Sequence, residues 1–132
     1  MFKNKIFKAS QPEVEVILKN VNSDIHVVEI DGRKIQSWQD YISEIETKMK
    51  FPTTCIDSID RYLDWITDLT WLEKKGYILI IYNFTEFIKN DLSLKSELIE
   101  DFKRTILPFW QEEIKEVVVN GEPQRFNVYL VD

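Results

Sequence analysis

Apolar and polar positions alternate through Pro12–Lys19 (PEVEVILK), a period of two that predicts a half-buried strand. Asp24–Asp31 (DIHVVEID) predicts a second strand, and the turn-like Asn20–Ser23 between them allows a hairpin. From Ser37 the period lengthens. Trp38, Tyr41, Ile42, Ile45 and Met49 recur at helical spacing behind a Ser37/Asp40 pair spaced as a capping box. Phe51-Pro52 ends this helix, because the residue before proline is pushed out of the helical region. After a short loop, Thr53–Asp57, either Asp57 or Ser58 caps a second helix running to about Leu69. Trp71–Gly76 turns the chain into Tyr77–Asn83, which is apolar on both faces as a buried central strand is. A long helix starts near Ser93 and passes through Leu98, Phe102, Ile106, Phe109 and Trp110, with Pro108 predicted to kink or divide it. Val117–Val119, Asn120-Gly121 and Arg125–Val131 predict a tight turn into a last strand. The element order predicts an α/β fold: a small, mainly parallel sheet with right-handed crossovers, packed by helices. Without repeats or a linker, residues 1–132 read as one domain. Residues 1–23 form an extension or extra strand on a core that begins near residue 24.

Composition narrows the chemistry. Three glycines more than forty residues apart write no phosphate-binding loop, so no nucleotide cofactor is expected. One cysteine and one histidine allow no internal disulfide, no structural zinc site and no two-histidine metal site. Cys55 has no base near it in sequence and reads as an inert thiol. His26 reads as an ordinary strand side chain, and Trp38, Trp71 and Trp110 as core. The net charge of 17 − 23 = −6 argues against nucleic acid or an anionic membrane and suits a basic protein partner. The longest apolar run, Tyr77–Tyr82, is too short to span a bilayer, and the N-terminus lacks a signal-like apolar core, so a soluble cytoplasmic protein is expected.

The charge gathers on one predicted helix. At 100° per residue, Asp57, Asp60, Asp64 and Asp68 fall within an arc of roughly 80°. Thr67 lies beside them, the opposite arc is apolar, and Trp65 sits on the boundary. Asp60/Asp64 and Asp64/Asp68 are like-charge i,i+4 pairs, each destabilising by about 0.2–0.5 kcal/mol. An amphipathic helix with a solvated polar face explains the apolar arc; it does not explain four carboxylates against one arginine. Such a row can bind a hard cation, do acid–base chemistry as a catalytic pair, or dock a cationic surface.

The residues Ile30-Asp31-Gly32, Ser37, Phe51-Pro52, Ile59-Asp60, Leu63-Asp64-Trp65-Ile66-Thr67-Asp68-Leu69 and Trp71-Leu72 resemble the barstar family of ribonuclease inhibitors. The resemblance implies a three-stranded parallel sheet packed by helices. It implies a non-enzymatic, immunity-type protein that blocks a basic ribonuclease or related toxin with its second helix and the loop before it. Asp60 and Asp64 match the family's two acidic positions and Thr67 its threonine. Asp57, Asp68, Trp65 and Thr54 complete the expected contact set. The loop Thr53–Ser58 departs from the family in carrying no aromatic residue, glycine or asparagine. The partner's identity is therefore left open. A non-inhibitory binding module of the same fold and an acid–base enzyme using Asp60 and Asp64 are the alternatives.

Overall fold

A computed structural model describes residues 2–132. Four parallel strands, β1 (Ile6–Ala9), β2 (Ile25–Asp31), β3 (Gly76–Tyr82) and β4 (Arg125–Val131), form one sheet in the order β1-β4-β3-β2. The register runs Ile25↔Gly76 to Asp31↔Tyr82, Gly76↔Arg125 to Tyr82↔Val131, and Ile6↔Val128 to Ala9↔Val131. The three strands expected from the resemblance lie side by side, and β1 adds a fourth.

Pro12–Lys19 is not a strand, and no N-terminal hairpin forms. It belongs to helix α1 (Gln11–Asn20). Its alternation masks a helical stripe, Val14, Ile17, Leu18 and Val21, which packs on the sheet. The start is written in Ser10-x-x-Glu13: Ser10 Oγ accepts from Glu13 N at 3.3 Å, and Glu13 Oε1 accepts from Ser10 N at 3.0 Å. Pro12 sits in the first turn, where its missing N–H costs nothing.

Helix α2 (Trp38–Lys48) is capped by Ser37, whose Oγ accepts from Asp40 N. The Asp40 carboxylate reaches past Ser37 to Gln36 N, so the expected reciprocal box is displaced by one residue. Helix α3 (Ile59–Ile66) is shorter than predicted. Ser58 caps it, Thr67 ends it, and Leu69 turns the chain at φ 55° into a 3-10 turn, Thr70–Leu72. The last helix, α4, starts as Leu92–Asp101 and continues through wide π turns, Phe102–Ile106 and Phe109–Glu113, to Ile114–Val117. Pro108 neither divides nor ends it and keeps helical angles, φ −61° and ψ −36°. It lies between the two π turns, whose wider winding makes room for a ring that lacks an N–H.

Connection direction sets the layers. From β1 the chain crosses the sheet to β2, then returns through β3 to β4. Right-handed crossovers therefore put α1 on one face and α2, α3 and α4 on the other. Both faces of β3 are covered. Tyr77, Leu79 and Ile81 join the large core under α2–α4, while Ile78 and Ile80 meet Val14 of α1.

Candidate functional site

Helix α3 rests on its buried side chains. Tyr62 and Ile66 are fully buried. The Tyr62 hydroxyl lies 2.6 Å from that of Tyr41 on α2, and burial pushes both phenols above their ordinary pKa. At the other end, the Trp110 indole donates to Ile66 O at 3.0 Å. The helix is thus pinned to α2 and to α4, with its opposite side turned to solvent.

That outer side carries Asp60 and Asp64, both exposed. Asp57 is exposed in the loop before the cap. Asp68 is half-buried beyond the helix end, where its Oδ1 accepts from Thr70 N and Oγ1 at 3.2 and 2.7 Å. The four-carboxylate arc is therefore two helical residues flanked by two loop residues, and Asp60/Asp64 is the one like-charge i,i+4 pair left inside the helix. Among the described residues, none of the four enters an ion pair. The nearby cation, Arg61, is spent elsewhere: its Nη1 donates to Thr54 O at 3.1 Å. Thr67 Oγ1 donates to Leu63 O at 2.7 Å and closes the last turn.

The loop before α3 is held from both sides. Glu46 of α2 accepts from Thr54 Oγ1 at 3.0 and 3.1 Å and from Cys55 N at 2.9 Å. Trp38 Nε1 donates to Ile56 O at 2.8 Å. From α3, Arg61 holds Thr54 O and Trp65 Nε1 donates to Thr53 Oγ1 at 3.0 Å. Trp65 is half-buried and meets Trp71 edge-on at 5.4 Å. Cys55 is fully buried, and burial pushes its thiol up to about 11, which disfavours the thiolate. His26 sits away from this region, with Nε2 2.8 Å from Lys48 O.

The structure thus leaves Asp57, Asp60 and Asp64 exposed on and just before α3, with Thr67 and Asp68 half-buried at its C-terminal end. It places Thr54 and Trp65 in the framework that holds the loop. Glu46, Arg61 and Trp38 were not legible as site residues, because their partners lie seven to eighteen residues away and are backbone groups as often as side chains. Ile56 and Ile59, 39% and 36% exposed, are the apolar side chains at the start of this region. Among the described residues, none of the five main cavities is lined by Asp57, Asp60 or Asp64. Nor does any group of three or more His, Cys, Asp or Glu residues lie ready for a metal ion. No helix of the described residues is long and apolar enough to cross a membrane. The arrangement offers exposed carboxylates without an ion-pair partner, a chemistry that arginine and lysine side chains complement.

A family model described as Barstar (barnase inhibitor) matches residues 25–122. No curated protein and no solved structure matches the chain.

Proposed function

The chain belongs to the barstar family, and from that premise we propose that it is an intracellular inhibitor of a basic ribonuclease or related toxin. It acts by occupation and not by catalysis. The observation that carries this reading is the set of exposed carboxylates, Asp57, Asp60 and Asp64, left without a cation although Arg61 is on the same helix. A surface selected for stability alone would pair them. A nuclease cleft supplies the missing arginines and lysines. Asp60 and Asp64 sit at the centre of the contact, Asp57 and Asp68 at its ends, and Thr67 offers the acceptor lone pairs of its hydroxyl. Thr54 and Trp65 act from behind, by holding the loop. An acid–base enzyme would need Asp60 and Asp64 in a concave, water-poor pocket, and both stand on a solvent-exposed helix face.

The test is titration of a panel of barnase-type ribonucleases, with RNA cleavage as readout. Wild-type protein is expected to abolish cleavage at equimolar ratio. Asp64→Ala is expected to weaken binding by about 2–5 kcal/mol, roughly 30- to several-thousand-fold in Kd. Its folding stability should be unchanged or raised by about 0.2–0.5 kcal/mol, since one like-charge pair is removed. The association rate should fall steeply with added salt. Undiminished affinity of Asp64→Ala, or cleavage that persists throughout the panel, overturns the assignment.

A further inference from the structure

Beside the C-terminal end of α3 lies a cavity of about 690 Å³, which Asp57, Asp60 and Asp64 do not line. Its walls come from four places: the chain after α3 with Asp68, the entry to β3 with Glu73, Lys74 and Tyr77, α4 with Trp110, and the turn after α4 with Glu122. That segment is unusual. Val117, Val118 and Val119 are consecutive and 66%, 44% and 90% exposed. Three adjacent exposed valines are costly on a soluble surface unless something covers them.

The lining charge is one-sided. Asp68, Glu73 and Glu122 contribute three carboxylates, against Lys74 as the one cation of the wall. The Lys74 ammonium donates to Ser23 O at 2.6 Å and keeps its charge, so the wall still carries two carboxylates in excess. Burial, with the Asp68 charge added to it, pushes the Tyr77 hydroxyl up to about 12. The cavity is also continuous with the acidic edge, because Thr67 and Asp68 belong to both.

We propose that this cavity receives an arginine side chain from the same basic partner that α3 engages, with the partner's adjoining apolar residues laid over Val117–Val119. The inference rests on the inhibitor reading above for the partner's identity. Arginine fits better than lysine. Its guanidinium is weakly hydrated, packs on aromatic and aliphatic walls such as Phe109 and Ile114, and pairs with carboxylates through a fixed fork of donors. The acidic edge and the cavity then form one contact surface with two recognition points, and the Val117–Glu122 segment becomes a determinant of which nuclease is bound.

The test uses the full chain, labelled with ¹⁵N, and N-acetyl-arginine amide as probe, against the neutral isostere N-acetyl-citrulline amide. Progressive shifts are expected with the arginine probe at the Trp110 indole and at the Val118 and Gly121 amides, and none with citrulline. Asp68→Asn combined with Glu122→Gln should weaken the arginine response about fivefold, the effect of losing two exposed ion pairs. Silent cavity resonances, equal responses to both probes, or shifts that follow protein concentration without probe (a second copy covering the valines) each overturn the proposal. Because amides 57–64 report separately in the same spectra, and nuclease inhibition is measured apart, loss of the cavity site and loss of the inhibitor reading are told apart.

Discussion

Glu46 shows how much one side chain decides. Its carboxylate takes the Thr54 hydroxyl and the Cys55 amide together, and so sets the path of the loop that leads into α3. Asp31 does the same at the end of β2. It accepts from the Arg33 guanidinium at 2.9 Å, from Asn83 Nδ2 at 2.9 Å and from Arg33 N at 3.0 Å. Those bonds, the Arg33 side chain foremost, hold its carboxyl well below the usual carboxylate range. A depressed folded pKa stabilises the fold when the group is ionised in both states. The contribution is therefore complete above the unfolded value, about pH 4, and fades as pH falls below it toward the folded value. Asp31→Asn should lower stability at neutral pH, and the gap from wild type should narrow as the medium is acidified below about pH 4. Urea unfolding across that range checks this, and a gap that widens in acid contradicts it.

At the level of elements, legibility followed the period of the apolar positions. β3 could be read from its sequence because both its faces are buried, and α2 because Tyr41, Ile42 and Ile45 are all turned to the core. α1 was misread because Val16, 59% exposed, fills out a false alternation with Val14; the Ser10/Glu13 box was the better signal. The end of α3 was not visible, since Leu69 continues the apolar spacing while adopting a left-handed backbone to reach the core. The exposure of Asp57, Asp60 and Asp64 is legible, being local in sequence; the clamp behind them and the cavity beside α3 are not, being assembled from distant segments. The turn after α4 offers a sharp test. Asn120 takes φ 61°, which asparagine tolerates. A Cβ on Gly121 would collide with the backbone carbonyl of Ile114. Gly121→Ala should cost about 1–3 kcal/mol, read as a lower urea midpoint. The loss should be local to the Val117–Glu122 segment in amide spectra, and an unchanged midpoint would show that the turn is free to move.

For the whole molecule, the N-terminal segment is part of the sheet. β1 covers the outer edge of β4, and α1 is the helix that shields Ile78, Ile80 and Val131. Deleting residues 1–23 should leave a strand edge and an apolar face bare, giving concentration-dependent association in sedimentation that the full chain is expected not to show. A truncated protein that stays monodisperse and unfolds cooperatively would show the segment to be dispensable. The pairing Ile6↔Val128 has a further consequence in time. β4 bridges β1 to β3, yet it is the last of the four strands to be translated. While the ribosome is still upstream of residue 125, β1 has no neighbour and α1 no completed surface to lie on. β2, β3 and the helices between them can dock early, since their contacts are nearer in sequence. Closure of the sheet waits for residues 125–131 to clear the exit tunnel, so the nascent chain passes through a stage in which the backbone groups of β1 are unpaired.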